Sequence, residues 1–393
     1  MTITDPKTLV LRGARLVTPV GLIENRSLLI EDGLITRIDD DERLRAAGPV
    51  LVLDGQTVWP GFIDVHIHGA VGIDVMTATV DELAHIGEFL ARSGVTTWLP
   101  TLVPGADSEY KHANNSIEEL MKRQEDLQPA ARAVGVHYEG PFVNTNQCGA
   151  LRTQFFRTFT NVADLEPIVF PQVEGARRMM TLAPEIEGGV ALVAELVRRG
   201  WVISIGHTRA GVDVLDAARN AGARHMTHFP NAMAPLHHRS PGPIGWGLLE
   251  DDVTVDLIAD GVHCDPLMIK LVMRCKSSER FSLISDSVSP TGLGDGDYRV
   301  WGETITVRQG KTSNERGSIA GSVITMRDAV NMMLSLGIPE FEVARIASLN
   351  PARLLGLDSV CGSIEVGKRA DLTALDSACN VSLCVVGGRI AAR

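Results

Sequence analysis

A chain of 393 residues, 45% apolar and 22% charged, has the composition of a soluble globular protein with room for a barrel-sized domain and a smaller one. A net charge of −11 with no basic run argues against nucleic acid as a main partner, and no apolar run reaches the roughly 18 residues of a membrane span. The first residues lack the apolar core of a signal peptide, and six cysteines without CxxC spacing read as reduced thiols, so the expected setting is cytoplasmic.

Taken in order, residues 8–57 read as short strands and turns. Residues 8–16, 21–23, 27–30 and 34–38 are strand candidates, and Glu31-Asp32-Gly33 between two of them is a hairpin signal. Residues 50–53 and Val58 add one or two more. So little β structure cannot bury much core alone. A partner lies at the far end, where residues 362–376 and 381–390 again read as strand and turn. The expectation is a small β-sandwich domain built from both termini, residues 1–57 and 353–393, with residues 58–352 inserted as a second domain.

The inserted part alternates apolar β-rich runs with helical patterns, which predicts a parallel α/β fold. Strand candidates are 61–65, 96–100, 133–138, 179–182, 202–205, 225–227, 253–258 and 281–284; helical stretches 80–93, 117–127, 189–199 and 212–220 fall between them. Eight such strands fit a (β/α)8 TIM-like barrel, whose chemistry sits at the C-terminal ends of the strands.

Those ends carry a consistent set of side chains. In Pro60-Gly61-Phe62-Ile63-Asp64-Val65-His66-Ile67-His68-Gly69, the two histidines alternate on one strand and so face the same side. Paired imidazoles suit a divalent transition metal. The third strand ends in Glu139, the fifth is followed by His207, the sixth by His228 and the eighth by Asp286. Singly, each has an ordinary structural reading as a cap, a satisfied core histidine or a turn residue. Six at predicted strand ends point to a metal centre.

The motifs PGFIDVHIHG, HYEGPF, GHT, HFPNAM, IADGVH, SDSVSPTGL, IAGSVITM, NPARLLGL and GSIEVGKRADL, in this order over nearly the whole chain, resemble the N-acetylglucosamine-6-phosphate deacetylase branch of the amidohydrolase superfamily. The resemblance implies the barrel and the terminal β-sandwich. It also implies one metal on Glu139, His207 and His228, and a second on His66 and His68 with Glu139 shared and Asp286 beside it. Imidazole and carboxylate ligands favour zinc or iron, two ions per subunit. Asp286 would act as general base and then general acid, releasing acetate and an amino sugar phosphate. Arg239, with the backbone amides of Asn231 and Ala232, would hold the phosphate. His263 would reach the ligand across the interface of a homodimer.

One departure stands out. Where the family usually reads Lys-Gly-Ala/Thr-His, with a histidine that donates to the amide carbonyl, this chain reads Cys148-Gly149-Ala150-Leu151. Leucine donates nothing, so either Arg152 or Gln154 takes over or the preferred substrate differs. Pro230, ahead of Asn231, is a second departure. Cys148 has no base beside it in sequence and reads as structural. Two further functions stay open: hydrolysis of another N-acyl sugar or amide on the same scaffold, and a barrel kept only for binding, against which all six ligands count.

Overall fold

In the computed structural model, which describes residues 7–44 and 48–393, eight parallel strands surround one axis. They are Phe62–Ile67, Val95–Leu102, Gly135–Glu139, Arg177–Leu182, Val202–Ile205, His225–Met226, Thr254–Leu257 and Phe281–Leu283. Each pairs in parallel with the next. The ring closes just beyond the last strand, where Asp286 N–H donates to His66 O at 2.9 Å and His68 N–H to Ser287 O at 2.8 Å. The first two strands are buried along their whole length, as expected of parallel strands covered on both faces.

Helices flank the barrel for reasons legible in their ends and spacing. Val80–Arg92 starts at Thr79, whose hydroxyl accepts from Glu82 N–H while the Glu82 carboxylate accepts from Thr79 N–H. Its buried Leu83, Ile86 and Leu90 recur at helical spacing and face the strands. The helix expected at 117–127 instead spans Asp107–Arg123. Its early start is held by Glu109, which accepts from Ala106 N–H and pairs with Arg152, forty-three residues away.

Both ends of the chain join in one curled sheet. Its order runs Arg389–Ala392, Val381–Val386, Leu372–Leu375, Thr57–Pro60, Thr8–Thr18, Gly21–Glu31, Leu34–Asp40, with Val50–Val52 also on Thr8–Thr18. The sheet packs around a core of Leu11, Leu28, Ile35, Val58, Leu372 and Val385. Leu34 and Arg369, from its two halves, meet in an antiparallel bridge. The Arg15–Glu340 ion pair at 2.6 Å and the buried Trp59 tie this sheet to the barrel.

The sequence expectations also omit a further sheet. Gly296–Val300, Glu303–Arg308 and Lys311–Asn314 form a small antiparallel sheet after the eighth strand. Its first turn, Trp301-Gly302, overhangs the C-terminal rim of the barrel.

Candidate active site

The strand ends converge as the spacing predicts. Side chains of His66, His68 and Glu139 offer ligand atoms within 4.8 Å of one another, and Glu139, His207 and His228 form a second such group. Glu139 Oε1 lies 2.9 Å from His207 Nε2 and 3.0 Å from His228 Nε2. Its other oxygen lies 3.3 Å from His68 Nε2, and Asp286 Oδ1 is also 3.3 Å from that nitrogen. His66 Nε2 is 3.5 Å from Glu139 and 3.6 Å from Asp286. All six side chains are buried.

The chain imposes this arrangement on its backbone. His207, His228, Ala232 and Asp286 all have positive φ, between 36° and 51°. Such conformations cost non-glycine residues about 1–2 kcal/mol each, and the strain sits where the functional candidates are. Asp64 stands two residues before His66 on the same strand face. Its carboxylate accepts from Ser285 Oγ at 2.5 Å and from Ser285 N–H and His66 N–H at 3.3 Å, joining the first strand to the eighth. Burial pushes the Asp64 carboxyl up to about 6. Sequence reasoning passed over Asp64, although its alternation with His66 and His68 was the available signal. Asp256 plays the matching part beneath His228, accepting from its N–H and pairing with His225 at 2.9 Å.

These residues fit a divalent metal. His207 Nδ1–H donates to Gln147 O at 2.7 Å and His68 Nδ1–H to Thr101 O at 3.3 Å. These Nδ1 contacts orient each ring so that Nε2 is turned into the cluster, as metal ligation requires. The His207 and His228 Nε2 atoms are 3.1 Å apart and share one carboxylate oxygen. The electrostatics also call for positive charge. Burial resists ionisation of Glu139, yet attraction to His66 and hydrogen bonds from His207 and His228 hold its carboxyl well below the usual range. Burial pulls His68 down, but contacts with Asp286 and Glu139 carry it up to about 10.

The cluster floors a cavity of about 480 Å³. Asn231, Ala232 and His263 line it; Arg239 does not. Arg239 is exposed, its guanidinium 3.1 Å from His238 Nε2. The Asn231 amide is committed to His228 O at 2.7 Å, which leaves the Ala232 N–H as the donor on offer to a ligand. His263, expected across a dimer interface, lines the cavity of its own chain. Its Nδ1–H donates to Asp260 at 2.7 Å, and its buried Nε2 is unpartnered among the described residues.

Leu151 forms part of the wall, and neither candidate replacement joins it there. Arg152 is held by Pro104 O and by a two-point pairing with Glu109 at 2.9 and 3.2 Å, with Phe155 under its guanidinium. Gln154 is exposed. Trp301, from the small inserted sheet, closes this side with its ring edge-on to His68, 5.2 Å between centroids. No motif flagged it.

Comparison with known proteins places this geometry in context. A model of the amidohydrolase family matches residues 57–391. The chain is 35% identical to N-acetylgalactosamine-6-phosphate deacetylase of Escherichia coli O157:H7, covering 98% of this chain and 99% of that one. It is 34% identical to N-acetylglucosamine-6-phosphate deacetylase of Bacillus subtilis strain 168, covering 98% and 97%. Among solved structures, a mutant N-acetyl-D-glucosamine-6-phosphate deacetylase from Mycobacterium smegmatis in complex with N-acetyl-D-glucosamine-6-phosphate superposes with a TM-score of 0.87 at 31% identity, over 99% and 100%.

Proposed function

The chain belongs to the amidohydrolase family, and from that membership we propose that it hydrolyses the N-acetyl amide of an amino sugar phosphate, converting N-acetylglucosamine 6-phosphate to glucosamine 6-phosphate and acetate. The observation that carries this reading is Glu139, which receives His207 and His228 on one oxygen and faces His68 with the other, beside Asp286, at the mouth of the barrel.

Glu139, His207 and His228 would hold one divalent ion, and His66 and His68 a second, with Glu139 shared. Zinc or iron suits this donor set. When bound, such a metal activates water near neutral pH and polarises the amide carbonyl. The rest falls to the chain. Asp286, ionised and buried against the ligands, takes a proton from the attacking water and returns it to the departing amine. His263 and Ala232 line the cavity, where the Ala232 N–H would serve as a donor for the sugar phosphate.

Arg239 is read as the phosphate-binding arginine. Because it stands outside its own cavity, this role goes with the homodimer reading, in which the guanidinium serves the neighbouring copy. Arg239→Ala is expected to raise KM for phosphorylated substrate tenfold or more, with little change for the unphosphorylated sugar. Equal effects on both would discard the assignment. The cytoplasmic setting draws support from six unpaired cysteines; among the described residues no helix is long and apolar enough to cross a membrane.

The activity is tested by amine release from N-acetylglucosamine 6-phosphate, its galactosamine epimer and unphosphorylated N-acetylglucosamine, using metal-reconstituted protein. The glucosamine phosphate is expected to turn over fastest. The 35% identical relative named for the galactosamine substrate makes that epimer the second reading. Release from none of the three, with metal bound, would sink both.

A further inference from the structure

The cavity has a chemically mixed lining. Asn231, His263 and the Ala232 backbone give polar partners. Ala150, Leu151, Trp301 and Ile319 add four apolar side chains to the lining, with Ser318 beside Ile319. Leu151 is 3% exposed, and Ala150 and Trp301 pack on the core of the small inserted sheet. The Trp301 indole N–H is turned toward the half-buried Asp74 carboxylate without completing a hydrogen bond of ordinary geometry.

Trp301 also occupies a position that local structure disfavours. It is the first residue of the two-residue turn between Val300 and Glu303, at φ 51°, followed by Gly302 at φ 86°. Both central residues of such a turn need positive φ, and asparagine or aspartate is the usual first choice. A bulky residue there is an outlier. What the tryptophan gains is contact: its ring stands edge-on to His68, at 84°, beside the ligand cluster.

Resting on the deacetylase reading, we propose that Ala150, Leu151, Trp301 and Ile319 form an acyl subsite that takes N-acyl chains longer than acetyl, with Trp301 the residue that sets this specificity. The scissile carbonyl must lie over the ligand cluster. A sugar hydroxyl set against these four apolar side chains would give up hydrogen bonds that His263 and Asn231 can supply, so the sugar faces His263 and Asn231 and the acyl chain faces Trp301. The reaction keeps its balance. Water oxygen bonds to the acyl carbon, the C–N bond breaks, the amine leaves with a proton, and the second product is propionate or butyrate.

The test compares kcat/KM for N-acetyl-, N-propionyl- and N-butyryl-glucosamine 6-phosphate on metal-reconstituted protein. Each buried methylene is expected to raise kcat/KM, by up to about fourfold. Trp301→Gly, which suits the turn, should abolish the advantage of longer chains, and Trp301→Phe, which keeps an aromatic wall, should retain it. Acetyl hydrolysis with a lower value for propionyl overturns the subsite and leaves the deacetylase reading standing. An unchanged chain-length profile in Trp301→Gly removes Trp301 from the role. No amine from any of the three, with metal bound, overturns both.

Discussion

Asp286→Asn is expected to lower deacetylation by about a thousandfold or more while metal content, measured by elemental mass spectrometry, stays near wild type. General acid–base groups contribute typically 10²–10⁴-fold, and here one carboxylate serves both halves of the reaction. The replacement preserves shape. Asp286 is fixed through its backbone, with its N–H on His66 O and its carbonyl accepting from Ser322 N–H at 2.7 Å, so an amide of the same size finds the same seat. What vanishes is the proton acceptor. Burial raises the Asp286 carboxyl, but attraction to His66 and the hydrogen bond with His68 hold it below its ordinary value, so at neutral pH it is ionised and ready to accept. Parallel loss of metal and activity in this variant would make Asp286 a ligand before it is a base.

Glu139→Gln should behave differently. It is expected to lose metal and activity together, with bound metal falling well below one equivalent and turnover dropping by about a thousandfold. Glu139 is the one residue common to both ligand groups, and its two oxygens face three imidazoles within 3.3 Å. Glutamine keeps the volume, removes the negative charge and brings a donor into a ring of nitrogen lone pairs. Retention of full metal content in Glu139→Gln would contradict the bridging position. The pair of variants separates holding the metal from moving the proton.

Much of this site was legible because a parallel barrel sends every strand end to one rim. Alternation put His66 and His68 on one face, and four separate strands delivered Glu139, His207, His228 and Asp286 to the same place. The helix Asp107–Arg123 was legible only in its second half. Its first half is polar, with Asn114 and Asn115 where helix formers would be expected, and its support is tertiary. Asn114 is buried and donates to Tyr110 O and to the Tyr138 hydroxyl, contacts that local pattern does not announce. The inserted sheet went unread because its strands are short and rich in polar residues, although a glycine closes each of its two turns, at Gly302 and Gly310. Trp301 went unread with it. The placement of Arg239 outside its own cavity follows from the path of an exposed loop, which no motif spacing encodes.

The sheet shared by the two ends has a consequence for how the chain is made. Thr57–Pro60 pairs on one side with Leu372–Leu375, which emerges roughly 300 residues later. At synthesis rates of about 5–20 residues per second, that strand waits on the order of 15 to 60 seconds for its neighbour. Meanwhile it and the strands before it present an unpaired edge and a half-covered apolar face, the surface on which nascent chains stick to one another. Ribosome speed and the availability of chaperones thus bear on yield as directly as the stability of the finished barrel does.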